Sequence, residues 1–182
     1  MPTERSDAQR NRAHLLTVAA QAFAADGSTS LNEIAKRAGV GAGTLYRHFP
    51  TREDLVLAVY AHDVQRLADD VDSVLAEHPG DPLAALADWY RRLAAYVRVK
   101  HGLGDALQTA SAKAVVDTTY QPALTATARL IEAGQNAGVM RADLDPSDVL
   151  LLMGFLWRVS DDEAGHTQAD RMLDLVLEGL RA

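Results

Sequence analysis

Gly39-Val40-Gly41-Ala42-Gly43-Thr44-Leu45-Tyr46-Arg47-His48-Phe49, followed by Pro50-Thr51-Arg52-Glu53-Asp54-Leu55, reads as the second half of a helix-turn-helix running at once into a new helix. Gly39 stands where a turn between two short helices needs a positive φ. Thr44, Tyr46, Arg47 and His48 then load one exposed turn with groups that donate to phosphates or base edges. A unit of this kind implies duplex DNA as a partner.

Upstream, a first helix runs from about Asp7 to Ala25 with Leu15, Leu16, Val18, Ala19, Ala22 and Phe23 on its apolar face. Asp26-Gly27 ends it, the glycine placed for a left-handed cap. Ser30-Leu31-Asn32-Glu33 matches a capping box that opens a short helix to about Ala38. Downstream, Thr51 with Asp54 starts a long helix to about His78, stopped by Pro79-Gly80-Asp81-Pro82. Helical periodicity continues over Leu83–Lys100, breaks at His101-Gly102-Leu103-Gly104, and returns briefly near Asp105–Ser111. A further helix starts near Tyr120-Gln121-Pro122, with the proline in its first turn, and ends at Asn136. Asp145-Pro146 introduces Ser147–Ser160, and the last helix spans Thr167–Leu180. The expectation is an all-α fold of about nine helices, because strand periodicity is almost absent.

Charge divides unevenly along the chain. Its 182 residues carry a net charge of −7. Residues 1–49 hold six basic side chains (Arg5, Arg10, Arg12, Lys36, Arg37, Arg47) and four acidic ones (Glu4, Asp7, Asp26, Glu33), a balance of +2. The remainder therefore stands at −9. A polyanion would be met by the N-terminal end. There is no cysteine, so no disulfide framework or thiolate chemistry arises. The N-terminus is polar and lacks a signal-peptide pattern. The longest apolar run, Val149–Trp157, is far shorter than the roughly 20 residues a membrane span needs. A soluble, cytoplasmic chain without membrane partners is expected.

The last two helices are apolar on more than one face, which implies burial on both sides. The simplest second partner is another copy, giving a homodimer through Met153, Leu156, Trp157, Leu173, Val176, Leu177 and Leu180. Trp89, Leu93 and Tyr96 share one helical stripe. With Gln108, Tyr120 and Phe155 they form the candidate lining of a largely hydrophobic small-molecule cavity. Other constellations fail. Gly39-x-Gly41-x-Gly43 follows a helix and lacks the Gly-Lys-Ser/Thr ending of a phosphate-binding loop. Asp161-Asp162-Glu163 with His166 reads as a solvated acidic connection, so no metal is expected. No nucleophile-base arrangement can be argued from spacing, and neither catalysis nor a cofactor is expected.

Leu15-Leu16-Thr17-Val18-Ala19-Ala20-Gln21-Ala22-Phe23, Glu33-Ile34-Ala35-Lys36-Arg37-Ala38-Gly39-Val40 and Gly43-Thr44-Leu45-Tyr46-Arg47-His48-Phe49 together resemble the DNA-binding domain of the TetR/AcrR family of bacterial transcriptional regulators. The resemblance implies residues 1–50 as the DNA-binding domain and 51–182 as the helical ligand-binding and dimerisation domain, joined by helix 51–78. It implies a homodimeric repressor that leaves a palindromic double-stranded operator when a small molecule fills a C-terminal cavity. Ser30 falls at a phosphate contact, Ala42, Gly43 and Thr44 at the start of the recognition helix, Tyr46 and His48 at further phosphate contacts, and Arg52 at a basic contact just beyond. Two departures stand out. The Gly27–Ser30 connection is shorter than usual, and Gly41-Ala42-Gly43 offers almost no hydrogen-bonding group where bases are often read. Much of the specificity is therefore expected from backbone positioning and DNA shape, with Arg5, Arg10 or Arg12 reaching along the duplex. Helix 51–78 is the expected lever, with residues 101–104 as a hinge. The alternative is a helical small-molecule binding protein without operator binding.

Overall fold

A computed structural model describes residues 3–98, 110–160 and 162–182, apart from the side chains of 3–9, 96–98, 110–117 and 157. Among these residues the architecture is helical, as expected: α1 (Thr3–Ala25), α2 (Leu31–Arg37), α3 (Ala42–His48), α4 (Arg52–Asp69), α5 (Val71–Glu77), α6 (Pro82–Arg98), α7 (Ala110–Asn136), α8 (Pro146–Leu152) and α9 (Glu163–Leu180). A 3-10 turn, Met153–Trp157, follows α8. One isolated antiparallel bridge joins Met140 to Arg181. No helix among the described residues is long and apolar enough to cross a membrane.

The chain divides into two compact units, residues 3–63 with 110–117, and Val64–Arg98 with Thr118–Ala182. The division falls inside α4 and α7.

The first unit is a small bundle in which α1 packs on α2 and α2 on α3. Leu16, Ala19, Ile34, Leu45, Phe49, Leu55 and Val59 form its core. Local hydrogen bonds set its corners. Gly39 adopts φ +67. Its amide donates to the Lys36 carbonyl, and the Val40 amide to that of Ala35, a Schellman cap that turns the chain from α2 towards α3. Ser30 caps α2 by accepting from the Glu33 amide at 3.2 Å. The reciprocal arm of the box is not made. The Glu33 carboxylate instead accepts from Arg37 one turn on, at 2.9 Å. Gly27 does not take the left-handed cap expected of it, since its φ is not positive. The Asp26 carboxylate ends α1 by folding onto the Ser28 amide and hydroxyl at 2.8 and 2.7 Å. These two bonds, hydroxyl first, hold its pKa below the ordinary range.

In the second unit α6 packs against α5, α9 and the 3-10 turn. Its centre holds Leu86, Trp89, Tyr90, Leu130, Met153, Leu156 and Leu173. The long helix expected over 51–78 is two, because the backbone leaves helical geometry at Asp70 (φ −93, ψ 12). Val71 and Val74 are thereby buried on α5. Pro122 lies inside α7 rather than in a first turn. It removes one intrahelical donor, yet Ala123, Ala126, Thr127 and Leu130 beyond it stay buried on one face. Asp145 caps α8 through the Ser147 amide at 2.7 Å, and Asp162 caps α9 through that of Gly165 at 2.7 Å. The expected helix at 105–111 falls before residue 110 outside the described residues, as does the hinge at 101–104; residues 110 and 111 open α7.

Candidate nucleic-acid interface

α3 is seven residues long and carries one buried apolar side chain, Leu45, which is fully inaccessible. Because a helix turns 100° per residue, fixing Leu45 inward sends its neighbours outward. Ala42, Gly43, Thr44, Tyr46, Arg47 and His48 are all exposed. Tyr46 keeps 43% of its surface accessible, so it is not a core aromatic. The helix starts from Gly41 without a side-chain cap, and Phe49 closes it from within the core. Six of the eight sequence-predicted DNA-contact residues thus share one outward segment. Ser30, also exposed, stands at the entrance to α2.

Arg52 is placed differently. Its guanidinium donates to the backbone carbonyls of Gly27 and Thr29 and lies over the Phe23 ring, 4.7 Å from the centroid. Arg12 similarly stands over Phe49 at 5.6 Å. Neither contact has a sequence signal, since both link residues more than 20 apart through side chains that composition assigns to solvent. Thr51 and Asp54 form the expected box: the Asp54 amide donates to Thr51 Oγ1 at 3.1 Å, and the Thr51 amide and hydroxyl donate back to the carboxylate at 3.0 and 2.8 Å.

Residues 81–182 match the family model described as the C-terminal domain of SbtR-like transcriptional regulators, and residues 15–59 match that of the bacterial regulatory proteins of the tetR family. The chain belongs to the TetR family of transcriptional regulators. A TetR transcriptional regulator of Streptomyces coelicolor is 40% identical and superposes with a TM-score of 0.71, over 93% of this chain and 98% of that one. A TetR regulatory protein of Mycobacterium vanbaalenii is 35% identical with a TM-score of 0.65, over 98% and 99% of the two chains. Similarity to the HTH-type transcriptional regulator AcrR of Shigella flexneri is more local, 38% identity over 86 residues. That match covers 46% of this chain and 40% of AcrR, so less than half of the curated relative's length is spanned.

In this TetR-family chain the residues offered as ligand contacts do not share one environment. Trp89 and Leu93 are buried in the second unit's core. The Trp89 indole donates to the Leu67 carbonyl at 2.9 Å and meets Tyr90 edge-on at 5.1 Å. The Tyr90 hydroxyl pairs with Thr127 Oγ1 at 2.7 Å, and burial pushes its pKa up. Both aromatic rings are explained by packing. Tyr120 is exposed and Phe155 half-buried. The Tyr96 side chain and Gln108 lie outside the described residues.

The residues offered for a partner copy also separate. Met153, Leu156, Leu173 and Leu180 are buried within the chain itself. Val176 and Leu177 are half-buried, and the Trp157 side chain lies outside the description. The open apolar surface belongs instead to Leu151, Leu152 and Leu175, which are 80%, 56% and 75% exposed. Leu152, Leu175 and Val176 also line an open groove of about 440 Å³ between α8 and α9, rimmed by Arg141, Asp143 and Asp148. The periodicity showed correctly that both helices are apolar on several faces, but not which face the chain covers itself. No cluster of His, Cys, Asp and Glu among the described residues is arranged to hold a metal ion.

Proposed function

We propose that this TetR-family regulator is a homodimeric repressor that occupies a palindromic operator and leaves it when a small, largely hydrophobic molecule binds the C-terminal unit. The observation that carries the reading is the division of α3, with Leu45 inside and Thr44, Tyr46, Arg47 and His48 outside. Two copies would set their α3 helices in successive major grooves, about 34 Å apart. Thr44, Tyr46 and Arg47 would reach base edges, with Ala42 against a thymine methyl and Gly43 allowing close approach. Tyr46, His48 and Ser30 would hold phosphates.

The second copy would cover Leu151, Leu152 and Leu175 with the half-buried Val176 and Leu177 beside them. An exposed apolar patch of this kind marks an association surface. Ligand release is a population shift: an effector that binds better to a dimer geometry with mismatched α3 spacing lowers operator affinity by the same coupling free energy. Of the candidate ligand contacts, Tyr120 and Phe155 retain accessible surface.

Binding to duplex DNA across a salt series tests the reading. A reader that neutralises phosphates loses affinity linearly in log–log terms, with a slope near −0.9 per phosphate contact. A flat profile would favour the non-DNA alternative, a helical small-molecule binding protein.

A further inference from the structure

α2 and α3 form one continuous segment between α1 and α4, entered at residues 27–30 and left at 49–52. Arg52 ties the two ends of that segment. Arg52, the first residue of α4, donates through one terminal nitrogen to the Thr29 carbonyl and through the other to that of Gly27, while its plane covers Phe23. The corner it grips is also held by bonds on its own side of the chain. Asp26 accepts from Ser28, and the Thr29 hydroxyl donates to the Asp26 carbonyl at 2.8 Å. Ser30, which caps α2, comes next. At the other end, the reciprocal Thr51–Asp54 bonds fix the backbone from which Arg52 projects.

We propose that Arg52 is a positioning residue for operator binding, acting through the 27–29 corner to hold the entrance of α2 in register with the exit of α3. The proposal rests on the operator reading above. A planar fork with paired donors suits two carbonyls two residues apart, whereas a lysine ammonium presents a point charge and cannot span them in the same way. The guanidinium commits one donor of each terminal nitrogen to these carbonyls, and the contribution proposed for it passes through the geometry they fix.

The test uses the full chain and the duplex that wild type enriches from a random pool, with Arg52→Lys and Arg52→Gln as variants. Circular dichroism first establishes that each is helical and melts cooperatively; Arg52→Lys alone suffices if the glutamine variant does not fold. The expected result is a loss of about tenfold or more in both, comparable to one charge-assisted hydrogen bond. The slope of affinity against salt should stay at the wild-type value, and the Glu33 amide should exchange faster. Arg52→Lys restoring wild-type affinity would overturn the proposal. So would a slope for Arg52→Gln that falls by about 0.9 for each arginine lost, the signature of a direct phosphate contact. A wild-type chain that enriches no duplex overturns the operator reading itself, and this proposal with it, before any variant is made.

Discussion

α3 and α9 both lay one side on a core, yet their sequences constrain the packing very differently. α3 has one large aliphatic residue, Leu45, among small and polar neighbours, so only one orientation buries it. α9 has Met172, Leu173, Leu175, Val176, Leu177 and Leu180 spread around its axis. Several orientations would bury comparable apolar area. The fold selects the one that encloses Ala169, Leu173 and Leu180 and leaves Leu175 in the open. A helix with a single apolar anchor therefore declares its functional face, whereas a helix apolar all round declares only that it has more than one partner.

The largest expected effect probes the enclosed side of α9. Leu173→Ala should cost about 2–5 kcal/mol in chemical denaturation, the usual range for a leucine deleted from a packed interior. A cost below about 0.5 kcal/mol, typical of surface positions, would return Leu173 to the dimer interface. The open side should behave in the opposite way. Leu151→Glu combined with Leu175→Glu should halve the mass seen by light scattering at micromolar concentration while leaving the monomer folded. An unchanged mass would remove this surface from the proposed interface.

Smaller effects refine the contrast. Tyr90→Phe should cost about 1 kcal/mol by removing a buried hydrogen bond to Thr127. Thr127 Oγ1 keeps its own donation to the Ala123 carbonyl at 2.8 Å. Ser30→Ala should also cost about 1 kcal/mol, as loss of an N-cap does. It should weaken operator binding more than Tyr90→Phe, which lies in the other unit.

The smallest effect concerns acid. Asp145 and Asp162 accept cap bonds that hold their pKa values below the ordinary 3.8, through the Ser147 hydroxyl first in one case and the Gly165 amide first in the other. Their stabilisation is present above the ordinary value and lost as pH falls through the lower folded-state values. The double variant Asp145→Asn, Asp162→Asn should flatten the fall in melting temperature below about pH 4. A steepness equal to wild type would show that these caps do not carry it.

Features set by neighbouring residues were legible in the sequence. The Gly39 turn, the Ser30 cap, the Thr51–Asp54 box and the Asp145-Pro146 helix start each lie within a few residues, where backbone geometry leaves few options. The same economy made the outward face of α3 readable. Features set by packing were not. Nothing at Asp70 resembles a helix breaker, and the break is seen only where α5 packs on α6. Pro122 has the local signature of a helix start, yet α7 continues through it with a buried face beyond. Arg52 carries the charge of a phosphate contact, and only the folded corner at 27–29 reveals carbonyls within its reach. Asp26, rather than Gly27, closes α1, because a side-chain acceptor two residues before Ser28 does the work of a left-handed glycine.

Selection of random-sequence duplexes by the purified full chain at near-physiological salt addresses operator recognition most directly. Recovery of a palindrome with half-sites one helical turn apart, weakened by Thr44→Ala and Tyr46→Ala without loss of fold, is the predicted result. A pool no different from bulk DNA would contradict operator recognition by the outer face of α3.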